Sequence, residues 1–265
     1  MPIVKVAYQN LGLSATWSAK SNVSTLPPSN LTDPNRQKIY RSNTLTSSGE
    51  YVTAALSSAM AIDFFGIVSG NLTTNATITF SLNTSDTGWA APAFSTSLTP
   101  FNASLSGVLP GFLSATQTFK YARWDISDSG NPDGYLQFGV AFLGPLVSLA
   151  VPPKTMDYQR VDPSVISYAP SGTPKTYELS EYTQISMPFI FLPESLVFGS
   201  LQTAVRAMGR KKDVIVSIFS TGPSDANVNI ATNLYGRFMD LPAFAYQALS
   251  SGNTYDWPVT FRESL

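Results

Sequence analysis

The chain has 265 residues, 43% of them hydrophobic, with no cysteine, no histidine and a formal net charge of −1. Lacking both residues, it can hold no disulfide, no Ser-His-Asp or Cys-His arrangement and no imidazole- or thiolate-bound zinc or iron, so an enzyme would have to run on carboxylates, Lys or Tyr alone. Charged residues make up 12%, about half the usual share, with seven basic against seven acidic before residue 150 and nine against ten after it, so no basic excess exists to neutralise phosphates in a nucleic acid.

Short strands open the chain, Val4 to Tyr8 the clearest. Ser18 to Asn35 is polar and carries Pro27, Pro28 and Pro34, the composition of a surface loop. Ile39, Tyr40 and Arg41 then enter a strand. Ala54 to Val68 is apolar enough for a core strand, Gly70 to Asn75 reads as a turn, and Ala76 to Leu82 alternates. Residues 83–118 are rich in Ser, Thr, Gly, Pro and Asn with scattered Trp89, Phe94, Phe101 and Phe112, the pattern of a long loop with aromatic anchors.

Tyr121 to Ile126 alternates with period two, Ser127 to Gly134 consists of turn formers, and Tyr135 to Phe142 returns as an apolar strand. This predicts a hairpin, and strands every 8–12 residues or so without a helix predict an all-β sandwich over residues 1–150. Five prolines between Ala150 and Pro174 predict a linker or crossover over 151–175.

The remainder, 176–265, reads strand, helix, then strands. Thr183 to Leu192 is β, and Pro193 and Glu194 suit a helix start. Leu196, Val197, Leu201, Ala204, Val205 and Met208 share one helical face, Gly209 ends the helix, and Arg210 to Lys212 complement its negative end. Val214 to Phe219, Asn233 to Met239 and Tyr255 to Phe261 are the remaining strands.

Two constellations invite chemistry. Asp125, Asp128 and Asp133 have the oxygen donors a calcium ion takes, but without the spacing of an EF-hand loop they read better as turn residues bonding their own backbone. Tyr40, Arg41, Trp89, Arg123 and Trp124 have the ring-plus-guanidinium chemistry of a sugar-binding face, with the loop residue Trp89 the best contact. Arg123 and Trp124 alternate and cannot both face the core. Sequons at Asn22, Asn30, Asn71, Asn75, Asn83 and Asn102 reflect composition, because MPIVKVAYQN lacks the apolar stretch of a secretory signal. No run of about 18 apolar residues predicts a membrane span. No carboxylate pair has the spacing to argue for glycoside hydrolysis.

Taken in order, NLTDPNRQKIYRS, IDFFGIVSGNLTTNATITFSLN and YARWDISDSGNPDGYLQFGVAFLG resemble the galactose-binding, discoidin-like jelly rolls of tail proteins from long-tailed bacteriophages. The positions that carry the resemblance are Asn30, Leu31, Asp33, Arg41, Ser42, Asn71, Ala76, Arg123, Asp128, Asn131, Pro132, Asp133, Gly134, Tyr135, Gly139 and Gly144. Ser69-Gly70-Asn71 departs from the His or Asn usual ahead of the second motif. The later segment, with Leu234 to Gly236 and the closing WPVTFRESL, is similar to the ring-forming domain of tail tube and distal tail proteins.

The resemblance implies a mainly β protein, an N-terminal jelly-roll sandwich followed by a β domain with one amphipathic helix. It implies a non-enzymatic structural protein of a tail tip or baseplate, located in the virion and joining tube to tip. Its partners would be copies of itself, commonly six in a ring, and other tail proteins, with no cofactor. Leu196, Leu201, Val205 and Tyr235 would serve assembly. The alternative is an adhesin that recognises a bacterial surface glycan through the sandwich.

Overall fold

The computed structural model describes residues 4–44, 49–98, 107–149, 151–218, 232–249 and 252–264. The chain is mainly β, and it divides into two compact units that interleave along the sequence. Residues 2–148 and 214–235 form one; residues 149–213 and 236–265 form the other.

The first unit is a β-sandwich. Its strands are β1 (Val4–Ala7), β2 (Thr16–Ala19), β3 (Tyr40–Arg41), β4 (Glu50–Val68), β5 (Thr77–Asn83), β6 (Phe94–Leu98), β7 (Val108–Ser127), β8 (Gln137–Phe138), β9 (Val140–Gly144) and β10 (Leu146–Leu149). The main sheet runs β2-β4-β7-β5-β6, with β9 also on β4. Its spine is the antiparallel pair β4 and β7, whose register shifts between Ala55 and Met60 and again between Ile62 and Phe64. Such irregularities bend a strand, and the two halves of the pair meet different surroundings.

In the half holding Phe64 to Val68, the sheet is buried on both faces. Phe65, Ile67, Leu109, Ala141 and Leu143 join the large core on one side. Phe64, Val68, Val108, Val140 and Phe142 join a second cluster with Ala7, Ile215 and Tyr235 on the other. Two-sided burial explains why FFGIV and VAFLG are continuous apolar runs. The second cluster is closed by the strand Val214–Ser217, which pairs with β1 from Lys5↔Ser217 to Ala7↔Ile215.

In the other half only one face is buried. Val52, Trp124 and Phe80 form one inward row across β4, β7 and β5, and Ala54, Ala122 and Leu82 the next. Trp124 packs against Trp17 at 5.5 Å and Phe80 at 5.0 Å between ring centroids, contacts worth about 0.5–1.5 kcal/mol each beyond the area they bury. Leu31, Tyr40, Leu136 and Phe138 belong to the same core. The opposite face of this half is open.

The predicted hairpin is not one. Its alternating strand and its turn are present, the latter with Asn131 N–H bonded to Asp128 O and Gly134 at φ 68°. But Tyr121 to Ser127 already has β4 on one edge and β5 on the other. With no edge free, the returning chain pairs elsewhere, β8 on β3 and β9 on the far half of β4. Gly139 sits between β8 and β9 where a Cβ would lie 2.0 Å from the Arg36 carbonyl oxygen, so only glycine fits.

Two predicted loops also differ. Residues 83–118 contain β6 and the start of β7, whose Ser/Thr content marks a solvated strand face; Phe101 and Asn102 lie outside the described residues. In the 18–35 stretch Ser18 and Ala19 belong to β2, and the rest runs as loop and short 3₁₀ turn with Leu31 fully buried.

The second unit contains β11 (Asp157–Val161), β12 (Val165–Tyr168), β13 (Pro174–Tyr177) and β14 (Tyr182–Pro193). After the helix and β15, the Val214–Ser217 strand already described, it ends with β16 (Asn233–Asp240, shared with the sandwich up to Tyr235), β17 (Ala245–Leu249) and β18 (Gly252–Glu263). The sheet order here is β16-β18-β14-β11, with β17 also on β18, and β12 with β13 forms a separate two-stranded ribbon. Residues 151–175, expected as a linker, thus supply β11, β12 and the start of β13; proline tolerates edge strands and ribbons because it need not donate. The predicted boundary after residue 175 moves as well, because 214–235 return to the sandwich.

The predicted helix is present. It follows Pro193, begins at Glu194–Leu196, widens into a π turn at Val197–Leu201 around non-helical Gly199, and continues through Gln202–Met208 to Gly209 at φ 54°. Val197, Leu201, Ala204 and Met208 are its buried face.

One inward position in the sandwich is acidic. Glu50 is 2% exposed, and its Oε2 has no hydrogen-bond partner. Burial pushes its carboxyl up, with Ser21 hydrogen bonds and the nearby Lys20 charge drawing it partly back. The folded protein therefore holds this proton more tightly than the unfolded chain does. The contribution of Glu50 to stability falls as pH rises from the ordinary carboxylate range through the raised folded value. Glu50→Gln is expected to be about 1 kcal/mol more stable than the parent at pH 7 in urea unfolding, with the gain disappearing in acid; equal stabilities at pH 7 would contradict this.

Candidate functional site

The open face of the sandwich follows from strand register. Antiparallel pairing aligns Tyr51, Asp125, Thr79 and Ser97 in one row across β4, β7, β5 and β6, and Thr53, Arg123, Ser81 and Ser95 in the next. Because side chains alternate, these residues point away from the row that carries Trp124. The result is a polar face with one charged pair at its centre, flanked by the buried hydroxyls of Thr53 and Ser81 and by the more exposed Thr77, Thr79, Ser95 and Ser97.

Arg123 is held on three sides. Its guanidinium lies 3.7 Å from the Tyr51 ring centroid and 5.5 Å from that of Trp89. Its Nε and Nη2 both donate to Asp125 Oδ1, at 2.9 and 2.5 Å. The side chain is only 17% exposed, so a planar cation is locked in place before any ligand arrives. Asp125 keeps Oδ2 without a hydrogen bond among the described residues and is 38% exposed. Trp89 is itself anchored, Nε1 donating to Asp86 Oδ1 at 3.2 Å. Beside the pair is an open cleft of about 260 Å³ lined by Lys20, Tyr51, Thr77, Thr79, Arg123 and Asp125, with Lys20 Nζ donating to Gly49 O.

Of the sugar-face candidates, the structure brings Trp89 and Arg123 together and removes two. Tyr40 is fully buried, its hydroxyl donating to Ser21 O and its ring edge-on to Phe138. Burial pushes that phenol far up, with the Glu50 charge adding to the effect. Trp124 is core, as its alternation with Arg123 requires. Arg41 is turned to another ring, 3.3 Å from the Tyr135 centroid. Tyr51, Thr77 and Thr79 were not singled out from sequence; only the register of β4 on β7 and β7 on β5 places them beside Arg123.

The aspartates of the 128–134 turn form a clasp. Asp128 is 1% exposed, and its oxygens accept from Thr73 N–H at 2.8 Å, Thr73 Oγ1 at 2.6 Å and the Asn131 amide at 3.3 Å. Asn71 donates to Asp133 and Tyr135 O and accepts from Gln137 N–H, while Asn131 donates to Asn71 O. Donors thus stand around Asp128 where a cation would need room. Among the described residues no cluster of three or more Asp, Glu, His or Cys side chains could hold a metal ion. The expected bonds of these aspartates to their own turn backbone are replaced by bonds to Thr73 and Asn71 across the β4–β5 loop.

The four assembly candidates divide. Leu201 is fully buried, and Tyr235 is 2% exposed in the sandwich unit with its hydroxyl donating to Pro34 O at 2.7 Å, so neither can face a partner. Leu196 and Val205 are half-buried on the helix.

The chain matches no family model, and no curated protein matches it. Solved structures overlap about half of it. Chitosan-binding module 1 of a chitosanase/glucanase from Paenibacillus sp. IK-5 is 18% identical, covering 52% of this chain and 99% of the module at a TM-score of 0.41. The lectin domain of lectinolysin, complexed with Lewis B antigen, is 12% identical over 52% and 96% at 0.40. The family 32 carbohydrate-binding module of C. perfringens NanJ, complexed with galactose, is 11% identical over 54% and 99% at 0.41. Overlaps at this level assign no ligand to the chain. No helix among the described residues is long and apolar enough to cross a membrane.

If the clasp is structural, Asp128→Ala should lower stability by about 2–4 kcal/mol by orphaning buried donors. The melting temperature of the parent should be the same in calcium and in EDTA; a calcium-dependent rise abolished by Asp128→Ala would restore the metal site.

Proposed function

We propose that the sandwich unit binds carbohydrate on its open face, through Arg123, Asp125, Tyr51, Thr77, Thr79 and Trp89. The observation that carries this reading is the immobilised Arg123, pinned by a ring and a carboxylate beside a cleft fringed with hydroxyls. A sugar offers vicinal hydroxyls to such a set, donating to the open Asp125 Oδ2 and accepting from the guanidinium and threonines, while its C–H face packs on Trp89. Little side-chain entropy remains to be lost, because Arg123 and Trp89 are already held. The role is recognition. On an array of bacterial surface glycans, Trp89→Ala and Asp125→Ala are each expected to weaken binding about tenfold or more with unchanged circular dichroism. Unchanged affinity in both variants would sink the assignment, as would a parent protein that binds no glycan.

A second reading concerns the other unit. Among the described residues, all the large, clearly exposed hydrophobics except Met60 lie in it, among them Tyr158, Ile166, Tyr168, Tyr177, Phe191 and Phe198. Apolar surface on this scale, on a chain with only 12% charged residues, favours a structural subunit that assembles with copies of itself. The setting would be a phage tail tip or baseplate, the ring commonly of six copies joining tube to tip components within the virion. Sedimentation of the purified chain is expected to show a discrete oligomer that gains mass with concentration. A monomer at every concentration would eliminate this reading and leave glycan binding untouched.

A further inference from the structure

A second polar cleft lies wholly within the other unit. It has a volume of about 450 Å³ and is lined by Arg210, Arg237, Phe238, Met239, Arg262, Glu263 and Ser264. Register creates its chemistry. Arg237 on β16 stands directly opposite Arg262 on β18, and across β14 the neighbour of Arg262 is Gln184. Like charges directly opposite repel, so a pair of this kind calls for counter-charge.

Only one of the two receives it from the protein. Arg237 forms a two-pronged ion pair with Asp213, Nε to Oδ1 at 2.8 Å and Nη2 to Oδ2 at 3.0 Å. Asp213 also accepts from Ser264 Oγ at 2.5 Å, and its side chain is 4% exposed, so its capacity is spent. The Arg262 guanidinium has no hydrogen bond or ion pair among the described residues. Its guanidinium lies 3.7 Å from the Tyr182 ring centroid, which fixes its plane and leaves its N–H edge unused. The remaining carboxylates do not answer it. Glu263 accepts the Thr183 backbone N–H at 3.2 Å, and Asp240 stands 3.9 Å from Arg210, a largely exposed pair of little worth.

We propose that this cleft is an oxyanion-binding site, with Arg262 the anchoring residue and Arg210 a second cationic contact. The ligand class is a carboxylate or phosphate group, because a planar guanidinium with a free edge recognises two oxygens at once. The site is separate from the glycan face, and neither depends on the other.

The test is calorimetric titration of the full chain at low ionic strength with inorganic phosphate, with glucuronate, and with glucose as the neutral blank. At least one anion is expected to bind and glucose to give no heat; preference for phosphate identifies a tetrahedral ligand, and preference for glucuronate a sugar carboxylate. Arg262→Gln should weaken that binding about tenfold, one charge-assisted contact's worth. Arg262→Lys, which keeps the charge but loses the fork, should be intermediate and guards against a folding defect in the first variant. Absence of binding by both anions, or equal affinity in parent and Arg262→Gln, overturns the proposal.

Discussion

The pairing of β4 with β7 is the constraint on which the sandwich rests. Two strands of 19 and 20 residues run antiparallel along nearly their whole length, and their shifts of register near Ala55 and Ile62 bend the pair into two halves with different solvents. One half is surrounded by apolar side chains above and below. The other has a core beneath it and water above. Every feature of the open face follows from that division, because alternation can present Arg123 and Asp125 outward only where a single face is buried. A slip of one residue would send Trp124 into water and Arg123 into the core.

Polar residues then do two distinct jobs on the same unit. In the clasp, Asn71, Asp128, Asn131 and Asp133 satisfy one another and neighbouring backbone, tying the β4–β5 loop to the turn after β7. On the open face, Arg123 and Asp125 satisfy each other incompletely, and the excess capacity points outward. The difference between the closed network and the open face lies in that remainder. The same distinction separates Arg237, whose carboxylate is supplied by the chain, from Arg262, whose guanidinium lies on a ring face with no carboxylate partner among the described residues.

Much of this was legible in the sequence. Alternation located β5 and the second half of β7, apolar runs located β4, and the helix was readable from its proline start, apolar stripe and glycine end. The turn at Ser127 to Gly134 was correct, but its strands were assigned to each other, because sequence shows where a chain reverses and not which edges are already occupied. The linker over 151–175 failed for a related reason: proline content marks strands that lie at edges as readily as segments that lie outside a sheet. Trp89 and Arg123 emerged from residue type alone. Tyr51, Thr77 and Thr79 did not, since they become neighbours of Arg123 only through pairings 45 to 75 residues apart in sequence. Tyr40 looked like a surface ring and is a core one, since a phenol can be buried once its hydroxyl finds a carbonyl.

The return of residues 214–235 to the sandwich bears on how the protein is made. During synthesis, β1 leaves the ribosome more than 200 residues before the strand that pairs with it, and until then its edge and the apolar side of Phe64, Val68 and Phe142 stay uncovered. The sandwich therefore cannot finish folding as the first half of the chain emerges; it waits for the helix and most of the second unit to be translated. Long-range closure of this kind slows folding and prolongs exposure of a sticky edge. A fragment cut at residue 150 would keep the Arg123 and Asp125 rows and yet lack the strand that covers the apolar far half of the same sheet.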